Sequence, residues 1–111
     1  MTEHYGPRVT PTVSEIRELA AEGKVMLTAH ATRRMFERCI STARLIAALS
    51  RCEMLDHGIE NDPRGPEIRV VGPQDDDDPL VVVCGMREDN DGRSVIVISL
   101  WRMWEANRWT Q

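Results

Sequence analysis

The stretch Pro79–Trp101, PLVVVCGMREDNDGRSVIVISLW, decides the fold class of this 111-residue chain. Two runs rich in β-branched residues flank the segment DNDG, which is the pattern of an antiparallel hairpin. Both runs are almost continuously apolar, so we expect two central strands that are covered on at least one face. The end of the domain is therefore predicted to be a β-sheet.

Two further strand candidates precede this hairpin. EMLDHGIE at 53–60 and EIRVVG at 67–72 are short runs, and the segments NDPRGP and PQDDDDP that follow them are rich in turn formers. Because PQDDDDP lies between two strand candidates, we expect a solvated hairpin turn there. The sequence thus predicts a four-stranded antiparallel sheet within residues 53–101.

The first half of the chain has helical patterning. Start signals precede three apolar-periodic segments, and KVMLT at 24–28 is a short strand candidate. The start signals are Thr12 with Ser14, then Thr28, then Ser41. The third helix carries the core stripe Leu45, Ile46, Leu49 and Cys52.

The order helix, strand, helix, helix, followed by four strands, predicts an α+β fold with the helices packed on one face of the sheet. We expect a flexible N-terminal arm at 1–13, a single domain at 14–104 and a C-terminal tail at 105–111. A chain of this length can bury enough surface to fold as one domain.

Composition indicates the cellular compartment of the protein more clearly than its function. The chain has 14 basic and 18 acidic residues, a net charge of −4, and four of the acids are consecutive at Asp75–Asp78. Three cysteines without a C-x-x-C pair form neither a disulfide framework nor a zinc pattern, which favours a reducing compartment. With no apolar run of about 20 residues, we expect a cytoplasmic protein with no membrane contact, no cofactor and no metal ligands.

The second helix carries an unusual basic repeat. His30, Arg34 and Arg38 recur every four residues and form one stripe, while Phe36 and Ile40 are expected on the opposite side. Like charges at this spacing disfavour an isolated helix, so an anionic ligand would explain the stripe. Two structural alternatives are a solvated face and a lock in which His30 and Arg34 bind strand carbonyls.

The string H-A-x-x-R-M-x-x-R-x-I, from His30 to Ile40, precedes a Ser-capped helix and strands that end in VIVISLW. This combination resembles a family of small bacterial and phage proteins of unassigned function, itself similar to the BrnT-like and RelE-like ribonuclease toxins. The resemblance covers most of residues 14–101 and implies a toxin-like fold and metal-independent RNA cleavage. Proteins of this kind tend to carry glycine where this chain has Cys39.

The stripe contains groups suited to that reaction. Histidine can transfer a proton near neutral pH, and arginine binds phosphate oxygens with a planar fork. We therefore assign catalysis to His30, Arg34 and Arg38. Weaker substrate-binding candidates are His57 and Arg69. For His57 an exposed strand end, and for Arg69 the solvent side of an edge strand, is the more frequent explanation.

The segment WRMWEANRW at 101–109 contains all three tryptophans. Trp101 is expected to cover the sheet, whereas Trp104 and Trp109 are candidates for partner binding because tryptophan is frequent in interfaces. The candidate partners are RNA, a cognate antitoxin or other protein, and a second copy of the chain. A non-catalytic binding protein that uses the same basic helix face is the alternative function.

Overall fold

A computed structural model describes residues 8–56 and 65–105 of the chain. Within these ranges lie three complete helices, six strands and a further helical segment at 103–105. The helices are α1 (Val13–Ala21), α2 (Ala29–Glu37) and α3 (Thr42–Ser50). The strands are β1 (Arg8–Val9), β2 (Val25–Leu27), β3 (Glu53–Asp56), β4 (Ile68–Gly72), β5 (Leu80–Asp89) and β6 (Gly92–Arg102).

The helices begin at hydroxyl caps, as predicted. The side-chain oxygens of Thr12, Thr28 and Ser41 each accept a hydrogen bond from the amide three residues later, at 3.2, 3.0 and 3.1 Å. Each bond satisfies an amide that has no partner within the first helical turn. The local sequence therefore fixes all three starts.

Helices α1 and α2 end in the same way, with different residues. Gly23 closes α1 with a φ of 75°, and the next amide bonds to Leu19 O at 2.9 Å. At the end of α2, Cys39 adopts a φ of 54°, and the amide of Ile40 bonds to Met35 O at 2.9 Å. Both ends are Schellman motifs, which normally place glycine at the left-handed position. Cys39 therefore accepts a conformation that disfavours a side chain.

The sheet has six strands, so the predicted count of four is wrong. Its order is β2-β6-β5-β4-β3, with β1 beside the end of β5. The four predicted strands are present as the antiparallel series β3 to β6, whereas β2 joins β6 in parallel. Hydropathy patterns reveal a strand but not its neighbour, and the two added strands are only two and three residues long. One of them, Arg8–Val9, lies inside the arm predicted at 1–13.

All three helices pack on the same side of the sheet, and the core lies between these layers. Leu45, Leu49 and Cys52 are fully buried, as predicted for the third helix, while Ile46 is partly exposed. The strands contribute every second residue to this core, as the pleat requires. Its largest strand members are Ile68, Val70, Leu80, Val82, Met86, Val95, Val97 and Leu100.

Gly72 allows the end of β4 to approach the end of α3. A Cβ atom at this position would lie 2.4 Å from the carbonyl oxygen of Ala48 and 2.9 Å from Cα of Cys52. A side chain would force the strand and the helix apart, so glycine is required for this contact. The contact brings the acidic turn between β4 and β5 beside α3.

The cysteines occupy different environments. Cys52 and Cys84 are buried, and Cys39 is exposed. Burial raises the pKa of Cys52 to about 11 and raises that of Cys84 well above its ordinary value. Cys84 is a small apolar residue of the core.

Candidate functional site

His30 and Arg34 form an open pair on the outer side of α2. The Nε–H of Arg34 donates to Nε2 of His30 at 3.3 Å, and the imidazole is exposed. Acceptance at Nε2 requires a neutral imidazole that carries its proton on Nδ1. Within residues 8–56 and 65–105, neither side chain bonds a strand carbonyl, so the geometry does not match a lock between helix and sheet.

Arg33 extends this pair into a cationic cluster. Its side chain is exposed on α2, and neither Arg33 nor Arg34 has a carboxylate partner in the described part of the chain. We call His30, Arg33 and Arg34 the α2 cluster. Sequence analysis left Arg33 out because it lies off the four-residue repeat, although its place beside Arg34 was the available signal.

Most other arginines are already neutralised. Among the described residues, seven arginines form ion pairs with carboxylates, and Arg17 donates to Cys52 O at 2.7 Å. The ion-paired set is Arg38, Arg44, Arg51, Arg69, Arg87, Arg93 and Arg102. Arg8 packs its guanidinium against Gly85. Arg33 and Arg34 therefore differ from the seven ion-paired arginines in having no carboxylate partner among the described residues.

Arg38, the third residue of the predicted stripe, forms an ion pair with Glu105 of the helical segment at 103–105. Its Nε and Nη2 atoms lie 3.0 and 2.9 Å from Oε2 of Glu105, and both side chains are largely buried. Burial alone would raise the pKa of the Glu105 carboxyl. The hydrogen bonds from Arg38 and from the Arg102 amide, with the charges of both arginines, outweigh burial and lower that pKa. Glu105 is therefore a carboxylate at neutral pH.

The acidic turn supplies further ion pairs. Asp75 pairs with Arg51, and Asp78 pairs with Arg44 and Arg102. The predicted position of this turn, between two strands, is confirmed. Two of its four acids thus neutralise arginines of α3 and of the end of β6. The sequence did not predict these pairs, because the partners lie at least 24 residues away.

Of the other predicted site residues, Arg69 lies away from the α2 cluster. Arg69 lies on β4 and donates from Nε to Oδ1 of Asp56 at 2.7 Å. Its neighbour Val70 faces the helices, so alternation places Arg69 on the opposite face of the sheet. Trp104 is half exposed. His57 and Trp109 lie outside the described residues.

Phe36 is a large apolar residue of α2 that lies outside the core. It was expected opposite the basic stripe together with Ile40, and 86% of its surface is exposed. Ala31, Met35 and Ile40 are buried instead and anchor α2 to the core. An aromatic ring therefore stands in solvent on the same helix as the α2 cluster.

Two general properties complete the description. In residues 8–56 and 65–105, no three His, Cys, Asp or Glu side chains are grouped so as to hold a metal ion. The helices of those same ranges are too short or too polar to cross a membrane.

Residues 27–102 match the family DUF4258, which is described as a domain of unknown function, and the match spans more than half of the chain. The chain belongs to the DUF4258 family. The DUF4258 region runs from the end of β2 to the end of β6 and includes the whole α2 cluster and Arg38, while Glu105 lies beyond it. Searches of curated proteins and of solved structures gave no match.

Proposed function

We propose that this DUF4258 protein acts on RNA and holds its phosphates with the α2 cluster, in the manner of the BrnT-like and RelE-like toxins that its sequence resembles. The supporting observation is selective pairing. Carboxylates take up seven arginines elsewhere, whereas Arg33 and Arg34 are left unpaired among the described residues beside an exposed histidine. Phosphate oxygens are suitable ligands for such a group because guanidinium forks bind them bidentately.

The proposed reaction is metal-independent cleavage of the RNA backbone. The 2′-oxygen attacks phosphorus, the bond from phosphorus to the 5′-oxygen breaks, and the products are a 2′,3′-cyclic phosphate and a free 5′-hydroxyl. His30 Nε2 takes the proton of the 2′-hydroxyl, and Arg34 turns from the imidazole to the phosphate, where its fork stabilises the added charge. A second acid must give a proton to the 5′-oxygen, and His57 is our candidate for it.

Binding to RNA is the first test. We would measure the fluorescence anisotropy of a labelled single-stranded RNA with wild type, with the double variant Arg33→Gln/Arg34→Gln, and with a matched control. The control is Arg51→Gln/Arg93→Gln, which removes two ion-paired arginines and causes the same change of net charge. We expect the α2 variant to bind about tenfold or more weakly, and the slope of log K against log salt to fall by about two.

The control should bind RNA with an affinity closer to that of wild type, because the two arginines that it lacks already have carboxylate partners in the wild type. Equal RNA affinity of wild type and the α2 variant would show that RNA does not bind to this face. Circular dichroism of all three proteins should match, since the substituted side chains are not in the core.

A non-catalytic RNA-binding protein is the second candidate, and the exposure of Phe36 favours it. Arginine beside an exposed aromatic ring is the composition of surfaces that hold single strands, where bases stack on the ring. Phe36→Ala should then weaken binding by about fivefold or more, since stacking contributes about 1–3 kcal/mol per base. RNA that is bound but left intact, with and without ribosomes present, would select this function over the ribonuclease.

A further inference from the structure

Three N–H groups converge on the side chain of Glu105. Its Oε1 atom accepts from Nε of Arg38 at 3.2 Å and from the backbone amide of Arg102 at 3.3 Å. Its Oε2 atom accepts from Nε of Arg38 at 3.0 Å and lies 2.9 Å from Nη2 of the same guanidinium. We call these donors of Arg38 and Arg102 the anion seat.

The main chain that carries the seat is held by contacts that do not involve Glu105. Nη2 of Arg102 donates to the carbonyl oxygen of Arg38 at 2.8 Å, and the same guanidinium pairs with Asp78. The next amide, that of Met103, bonds to Pro79 O at 2.9 Å. These contacts keep the Arg102 amide and the main chain at Arg38 in place when the carboxylate leaves, and the Arg38 guanidinium is then free for another anion.

The seat also continues the proposed RNA site. Arg38 follows Arg34 by four residues at the end of α2, which corresponds to a rise of about 6 Å along the helix. A guanidinium fork with a backbone amide is a common way to bind phosphate oxygens. Only 20% of the Arg38 side chain and 15% of the Glu105 side chain are exposed, so an anion bound here is shielded from water.

We propose that the anion seat is a phosphate-binding subsite and that Glu105 occupies it as an internal competitor. The inference rests on the proposed RNA function, to which it adds regulation. The donors lie within the DUF4258 match at 27–102, whereas the carboxylate comes from the helical segment just beyond it. Movement of this segment opens the seat, and RNA with a phosphate in the seat holds it open.

The substitution Glu105→Gln removes the competing charge and keeps the shape of the side chain. Glu105→Gln is compared with Glu88→Gln, which removes a carboxylate from the pair with Arg93 and changes the net charge equally. Glu105→Gln should bind single-stranded RNA about three- to tenfold more tightly than wild type, because the competitor in a partly buried bidentate pair is gone. Glu88→Gln should show a smaller change, and adding Arg38→Gln to Glu105→Gln should abolish the gain.

A second measurement does not need RNA. Inorganic phosphate is titrated into Glu105→Gln and Glu88→Gln while the Nε–Hε signal of Arg38 is followed by NMR. A shift of that signal in Glu105→Gln alone supports the seat, even if no variant binds RNA, in which case only the proposed function fails. No shift in Glu105→Gln overturns the inference, and so does measurable RNA binding by Glu105→Gln with the same affinity as wild type. Glu105→Ala serves as the second variant if the glutamine protein is unfolded.

Discussion

His30 and Arg34 lie with Nε2 and Nε 3.3 Å apart on the outer side of α2, four residues apart in the sequence. Arg38, another four residues along, is bound instead to Glu105, 67 residues away. One sequence repeat is thus divided between an exposed pair and a shielded ion pair.

His30→Ala should abolish most RNA cleavage without affecting stability. Loss of a general base lowers rates by about 10²- to 10⁴-fold, and the assay should contain EDTA because the proposed chemistry uses no metal. The melting temperature should stay close to that of wild type, since the imidazole is exposed. A variant that cleaves like wild type, or one that unfolds, would end the catalytic assignment.

Arg34→Lys should lower cleavage by about tenfold or more although the charge is kept. An ammonium group lacks the planar fork that binds two phosphate oxygens. Arg51→Lys is the matched control, because Arg51 pairs with Asp75 away from the α2 cluster. Equal rates for the two lysine variants would show that Arg34 contributes charge alone.

Cys39→Gly should stabilise the protein by about 0.5–1 kcal/mol. The left-handed conformation at this position penalises a Cβ atom, and glycine relieves the penalty at some cost in unfolded-state entropy. Cys39→Ala keeps the Cβ atom and should give no such gain. Urea denaturation of both variants measures the difference, and equal midpoints would show that the α2 end is not strained.

Leu49→Ala should lower the free energy of unfolding by about 2–5 kcal/mol, as for other large-to-small core changes. The side chain is fully buried between α3 and the sheet. Thr42→Ala, at an exposed position of the same helix, should change stability by only about 0.5 kcal/mol or less. An unchanged denaturation midpoint for Leu49→Ala would contradict the packing of α3.

An aromatic disulfide reagent should modify Cys39 rapidly in the native protein and the other two cysteines slowly. The thiolate is the reactive form, and burial raises the pKa of Cys52 to about 11 and that of Cys84 well above its ordinary value. Stopped-flow absorbance at about pH 8 should show a single fast thiol. Cys39→Ala should lose that phase, and denaturant should make the remaining thiols react.

Much of the fold could be read from short segments. Thr12, Thr28 and Ser41 cap the three helices because each hydroxyl bonds an amide only three residues away. The hairpin of β5 and β6 follows in the same way from two apolar runs joined by turn residues. Local periodicity and turn chemistry carry such features, so the sequence alone establishes them.

The candidate site was only partly predictable. His30 and Arg34 were identified because one helix carries both. The exposure of Phe36 was not predicted, because a helical pattern fixes relative angles and not the face that meets the core. Arg33 was missed because it differs from most other described arginines in lacking a carboxylate partner. That difference is visible only when the distant carboxylates that pair with the other arginines are known.

The sequence by itself determined the α+β class, the helix starts, the antiparallel series β3 to β6 and the basic character of α2. The tertiary structure decided that β2 lies parallel to β6, that Asp78 neutralises Arg44 and Arg102, and that Glu105 fills the seat at Arg38. The physical reason is the separation in sequence of the residues that interact. Caps, turns and periodicity depend on residues within one or two turns, whereas strand neighbours and ion-pair partners depend on how distant segments meet around a shared core.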